Sequence, residues 1–218
     1  MRLHFRLSAN TQTVPFDYQH YLTGVFHKWM GWNNLHDSIS LYSLSWLAGG
    51  RACRDGLNFP DGARWFISAW DESIIKQLVA GALKDPEVCC NMGVLEIQMQ
   101  ETPQFGGIEC FNTASPVFIR KYDEKQKARH LTFKDAEADV YLTETLKKKL
   151  HTAGINEEAS VKFDRNYAKA KTKLVRINDI ENRTSICPVI VEGSPVAVQF
   201  AWNVGVGHST GSGFGAIS

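Results

Sequence analysis

The chain has 218 residues, 44% hydrophobic and 22% charged, with a formal net charge of +1. That balance is ordinary for a globular protein with room for one large or two small cores, and it excludes a disordered, collagen-like or strongly basic chain. No apolar run approaches the roughly 20 residues that cross a bilayer, and Met1-Arg2-Leu3-His4 lacks an apolar signal region after it, so a cytoplasmic protein without a membrane partner is expected.

Leu3, Phe5 and Leu7 alternate with His4, Arg6 and Ser8, the pattern of a half-buried strand over residues 2–9. Val14-Pro15-Phe16-Asp17 then opens a helix, with Asp17 as its expected N-cap and Tyr18, Tyr21, Leu22, Val25, Phe26 and Trp29 at helical spacing. His20, Gly24 and His27 fall together on its less apolar face. By residue type alone, a histidine there is ordinarily a solvated side chain. Strands are predicted over residues 39–47 and 64–70, around a Gly/Asp/Pro-rich loop at 49–62. Asp71 caps a second helix with an apolar stripe from Ile74 to Leu83, and Asp85-Pro86 ends it. Residues 94–99 alternate again. The order βαββαβ is the ferredoxin-like unit, also used by RRM-type RNA binders.

Pro103 to Gly107 has the composition of a junction, which divides the chain into domains 1–106 and 107–218. Beyond it, a strand at 108–121 interrupted near Ser115-Pro116, a helix at 132–150 with Thr132 and Asp135 resembling a capping box, and strands at 159–177 and 186–191 repeat the unit. Residues 194–200 are ambiguous, because Ser194-Pro195 opens a helix whereas Val196 to Phe200 alternate like a strand. The predicted class is α+β, with two tandem ferredoxin-like (βαββαβ) domains.

Basic residues concentrate between Ser160 and Arg176: Lys162, Arg165, Lys169, Lys171, Lys173 and Arg176, opposed only by Asp164. On one strand, Lys169, Lys171 and Lys173 would share a face and could track an RNA backbone. The structural alternative is an edge strand guarded from aggregation by lysines. The run Lys147-Lys148-Lys149 is explained by a helix dipole at its C-terminal turn.

The last turn holds two Gly-apolar-Gly triplets, 205–207 and 213–215, around His208, Ser209, Thr210, Gly211 and Ser212. Glycines at this density suggest N–H groups facing a shared concavity suited to phosphate. A nucleotide P-loop needs Gly-Lys-Ser/Thr and a following helix, and a Rossmann turn a preceding strand; neither context is present. The five cysteines show no C-x-x-C pair or zinc spacing and are expected to be buried thiols.

The paired triplets, Arg2-Leu3-His4-Phe5-Arg6-Leu7, Tyr21-Leu22-Thr23-Gly24, Leu35-His36-Asp37 and Thr113-Ala114-Ser115-Pro116-Val117 together resemble the CRISPR-associated endoribonucleases that cut repeat RNA, members of the RAMP superfamily. The resemblance implies a helix to about Asn203, a final strand from Gly213, and RNA contacts from the basic stretch and from Gly205, Gly207, His208, Ser209, Gly211, Gly213 and Gly215. It also implies catalytic roles for His27 and His36, which match the family's positions. Lys28, about 100° around the helix from His27, ranks third.

No metal-ligand cluster, cofactor motif or G-x-S-x-G elbow is visible, which leaves histidine acid–base chemistry on RNA with neither metal nor cofactor. Implied partners are CRISPR repeat RNA, subunits of a CRISPR effector complex and a second copy of the chain. Two other readings are a non-catalytic RAMP-type RNA-binding subunit and a general RRM-like binder that displays Tyr42 and Phe66.

Overall fold

The computed structural model describes residues 1–32, 39–177 and 180–218. Its first half runs β1 (Arg2–Leu7), α1 (Gln19–Met30), β2 (Tyr42–Leu44), a hairpin of β3 (Arg51–Cys53) and β4 (Gly56–Asn58), β5 (Ala63–Ala69), α2 (Glu72–Lys84) and β6 (Val94–Gln100). Period-two alternation turns Leu3, Phe5 and Leu7 inward, where they pack with Leu22, Phe26 and Trp29 of α1 and Ile75 and Leu78 of α2. The antiparallel sheet has the order β2-β5-β1-β6, with β1 central, which is the ferredoxin-like arrangement.

Two local expectations fare differently. Asp71 caps α2, accepting from the Ser73 N–H at 2.8 Å. Asp17 does not cap α1, which starts two residues later with Tyr18 at the N-cap and no side-chain cap. The Asp17 carbonyl instead bonds His20 Nδ1 at 2.7 Å.

The second half runs β7 (Ile108–Phe111), a hairpin of β8 (Ile119–Tyr122) and β9 (Ala128–Leu131), α3 (Ala138–Thr152), β10 (Ala159–Phe163), a hairpin of β11 (Lys171–Ile177) and β12 (Ile180–Ile186), β13 (Val189–Gly193) and α4 (Pro195–Val204). Its main sheet has the order β10-β13-β7. Beside β7, Asn112 and Ser218 exchange N–H···O bonds of 2.9 and 3.0 Å, and Ile217 bridges Thr113. The C-terminal segment thus takes the fourth position of a second ferredoxin-like unit. It does so by a bridge, not by the expected strand from Gly213, because the chain stays coiled through Gly215.

The predicted strand at 159–177 is two strands. Asp164 turns the chain between them, its carboxylate accepting from the Asn166 N–H at 3.1 Å and its carbonyl from the Tyr167 N–H at 3.2 Å. The interruption predicted within 108–121 is present, between β7 and β8. Thr132 and Asp135 do bond each other, at 2.8 and 3.0 Å, but in a turn ahead of α3, whose N-cap is Glu137. The ambiguous stretch after Ser194 is helical: Ser194 Oγ accepts from the Ala197 N–H, Pro195 opens the first turn, and Val198, Phe200 and Ala201 are all buried.

Apolar side chains gather in two principal clusters, one between Leu3 and Met92 and one between Phe111 and Ile217. Arg2 ties the halves together. Its guanidinium lies 3.9 Å from the Phe66 ring and 3.6 Å from that of Trp202, and donates to Ser68 Oγ and to the Trp202 and Ile217 carbonyls. Burial lowers its pKa to about 9. No described helix is long and apolar enough to cross a membrane. Cys89 and Cys187 are buried, whereas Cys110 is exposed, contrary to the expectation for all five.

Candidate functional site

Helix α4 delivers the chain straight into the glycine loop. Gly205, Gly207, Gly213 and Gly215 all have positive φ, as does Ser209. A Cβ at Gly207 would stand 2.6 Å from the Phe118 carbonyl, and one at Gly215 would run into the Val206 carbonyl, so contact as well as conformation demands glycine there. Within the loop, Val206 N–H donates to the Gly215 carbonyl, His208 N–H to Phe118 and Gly215 N–H to Pro116, at 2.8–2.9 Å. These amides serve the fold. The loop meets solvent through His208, Ser209 and Ser212.

Lys149 holds the loop from below. Its ammonium is buried and donates to the Val204 carbonyl at 3.0 Å, to Thr210 Oγ1 at 2.9 Å and to the Gly205 carbonyl at 3.4 Å. Thr210 passes the connection on, its hydroxyl donating to the Tyr42 carbonyl at 2.8 Å. Burial lowers the Lys149 pKa to about 7. Sequence reasoning assigned the 147–149 run to the helix dipole and missed this lysine. The signal was present, because Lys149 lies seven residues beyond Leu142 and three beyond Leu146, on the buried stripe of α3.

The loop also packs on α1 and β2. The ring of Tyr42 stacks on Phe26 at 4.3 Å, and a Cβ on Gly211 would meet the Tyr42 hydroxyl at 2.8 Å. Gly213 lies over Gln19, and its carbonyl accepts from Trp46 Nε1 at 2.8 Å. His27 is half-buried on α1, edge-on to Phe26 at 5.1 Å. His36 lies outside the described residues. Lys28 turns the other way, to the α2–β6 connection, where it bonds the Glu87 carbonyl at 2.6 Å and pairs with Asp85 at 3.0 Å. That places its ammonium beyond the end of α2 and engages it there. Among the described residues no three His, Cys, Asp or Glu side chains are grouped to hold a metal ion.

The basic stretch is distributed over several elements. Lys162 is exposed on β10, an edge of the second sheet. Arg165 is tied to Asp139 and to the Phe133 and Asp135 carbonyls, so it fastens the 164–167 turn to the start of α3. Arg176 pairs with Glu181 across the β11–β12 hairpin at 3.2 Å. Lys169 lies in the turn before β11, so only Lys171 and Lys173 share a strand face. On that face Lys173 Nζ stands 5.2 Å from the Trp46 ring, and Val175 packs on Phe118 and Phe214. The hairpin therefore carries these two lysines to the glycine loop's side. Tyr42 and Phe66 are buried, so they form no exposed stacking platform.

The family model described as "CRISPR associated protein Cas6, C-terminal" matches residues 99–218, more than half of the chain, including β7 to α4 and the glycine loop. The chain belongs to the Cas6 family. Among solved structures, a Cas6-related protein from Pyrococcus furiosus is similar over 100% of this chain and 97% of its own, at 21% identity and a TM-score of 0.87. A RAMP protein described as binding different RNA substrates aligns over 100% and 98%, at 20% identity and a TM-score of 0.84. A Cas6 product complex aligns over 100% and 98%, at 11% identity and a TM-score of 0.70. At these identities the likeness establishes the fold, two tandem ferredoxin-like units. No curated protein sequence matches this Cas6 chain.

Proposed function

We propose that this protein is a metal-independent endoribonuclease that cuts CRISPR precursor RNA within its repeats. The observation that carries the reading is the family match across the half that builds the glycine loop, against which α1, the helix bearing His27, is packed. One histidine takes the proton from a ribose 2′-hydroxyl, the oxygen attacks the adjacent phosphorus, and an acid protonates the departing 5′-oxygen. The products are a 2′,3′-cyclic phosphate and a 5′-hydroxyl. An unperturbed imidazole pKa of about 6.5 leaves both protonation states available near neutrality. His27 and His36 are the proposed acid–base pair. The committed ammonium of Lys28 makes it a weaker third member. Repeat RNA, effector-complex subunits and a second copy of the chain are the proposed partners.

The test is incubation with repeat RNA in excess EDTA. Cleavage is expected to persist and to yield a cyclic phosphate. Loss of cutting in chelator, restored by magnesium, would overturn the mechanism.

A second reading, a RAMP-type RNA-binding subunit without cleavage, is favoured by the engagement of Lys28 away from His27. It keeps the sheets, Lys171, Lys173 and the loop but does not require His27 or His36. Either reading places RNA across the β11–β12 hairpin. Reversing Lys171 and Lys173 to glutamate is therefore expected to weaken RNA affinity and to flatten its dependence on salt, since each lost phosphate contact releases fewer counterions. An unchanged salt slope would assign both lysines to solvent.

A further inference from the structure

The β8–β9 hairpin presents a face that none of the preceding chemistry uses. Arg120 and His130 are directly opposite in its register, so their side chains share one side. Tyr122, two residues after Arg120, lies on the same side, half-exposed, with the Arg120 guanidinium 5.2 Å from its ring centre. Two further groups converge there. His208 arrives from the glycine loop, its Nδ1 accepting from the Arg120 N–H at 3.4 Å, and Arg183 arrives from β12, its N–H donating to His130 Nδ1 at 3.2 Å. Phe118 floors the site, its ring 5.0 Å from that of His130 and 6.4 Å from that of His208.

The hydrogen bonds settle what this face offers. An imidazole whose Nδ1 accepts a backbone N–H is neutral and carries its proton on Nε2, so both histidines are oriented as donors. Burial, and then the charge of Arg120, lower the pKa of each, that of His208 to about 4. Arg120 and Arg183 are exposed, and among the described residues neither forms an ion pair. Among the described residues the carboxylates beside His130 and Arg183 are already engaged: Asp135 with Thr132 and Arg129, Glu181 with Arg176. Two guanidiniums without an ion pair among the described residues, both near enough to His130 for their charge to act on it and that of Arg120 on His208 as well, together with two imidazole donors and an exposed tyrosine, match a phosphodiester group with a base stacked next to it.

We propose that Arg120, His130, Arg183 and His208 form a subsite for the backbone of single-stranded RNA, with Tyr122 as the stacking surface for an adjacent base. The subsite deepens the RNA-processing reading and rests on it. It also explains the absence of lysine or arginine between the glycine triplets, because the charge is supplied by neighbouring strands.

The experiment compares the intact chain with the R120Q/R183Q and R120K/R183K double variants and with Tyr122→Ala, on repeat RNA, a scrambled single strand of the same length and a duplex of that length. With about 0.7 counterions released per single-strand phosphate, the glutamine variant should lower the salt slope by about 1.4 on both single strands, and the lysine variant should restore it. Tyr122→Ala should weaken single-strand binding by about tenfold without altering the slope. An unchanged slope in R120Q/R183Q, while the intact chain still cuts repeat RNA, overturns the subsite and leaves the nuclease reading standing. A lowered slope on scrambled RNA in a chain that never cuts repeats supports the subsite and removes the nuclease. Loss confined to the duplex, or no RNA binding by the intact chain, overturns the subsite.

Discussion

Replacing His27 by alanine, or His36 by alanine, is expected to slow cleavage of repeat RNA by about 100-fold or more while leaving affinity within a few fold. Positioned acid–base groups contribute at least that much to a chemical step, and neither side chain is needed to hold the RNA backbone in the proposed mechanism. His20 supplies the control: its Nδ1 is bonded to the Asp17 carbonyl in the first turn of the same helix, so its replacement should leave the rate unchanged. The reaction class is tested on the substrate. Replacing only the 2′-hydroxyl before the cut by hydrogen removes the nucleophile and preserves every phosphate and base, so such an RNA should bind nearly normally and never be cut. Normal cleavage of the deoxy substrate would show that water attacks, and full activity in both histidine variants would rule out His27 and His36 as the acid–base pair.

Lys149→Met is expected to destabilise the fold near neutrality and to change how stability depends on pH. The substitution leaves the Val204 and Gly205 carbonyls without their buried donor, at about 1–3 kcal/mol for each unsatisfied group, offset in part because a buried charge is no longer desolvated. The pH argument has a definite sign. The folded pKa, about 7, lies below the unfolded lysine value of 10.5. Below pH 7 both states are protonated and the cost of burying the ammonium is fully borne. Between about 7 and 10.5 the unfolded chain binds more protons, so the lysine protein gains stability as pH rises, with a limiting slope of about 1.4 kcal/mol per unit. The methionine variant lacks that slope. Urea unfolding of both proteins from pH 7 to 10 reads the difference, and parallel curves would mean that Lys149 keeps an ordinary pKa. Because Thr210 and Tyr42 connect Lys149 to β2, a loosened loop should also reduce RNA affinity.

The sequence by itself determined the elements whose side chains repeat with a clear period. Leu3, Phe5 and Leu7 can be buried together only on a strand, and the stripe from Ile74 to Ala82 only on a helix, so βαββαβ was legible without coordinates. Asp71 and Ser194 were legible as caps for the same reason, since a cap is a contact between residues two or three apart. The triplets of the final loop marked the family, because positive φ and close backbone approach leave glycine as the residue that fits. What that loop does, however, was set by residues distant in the chain. Gly207 packs on the Phe118 carbonyl, Gly213 on Gln19 and Trp46, and the loop is held by a lysine from α3. Helical spacing from Leu142 and Leu146 sets Lys149 apart from its two neighbours on the buried stripe of α3, but which carbonyls its ammonium would serve was decided only when α4 ended beside α3. Arg120, His130, Arg183 and His208 come from four segments, and no spacing announces them. Only the tertiary structure decided which charges are paired, because a carboxylate partner is chosen by distance in space: Arg165 is taken by Asp139, Lys28 by Asp85, and Arg120 by none among the described residues.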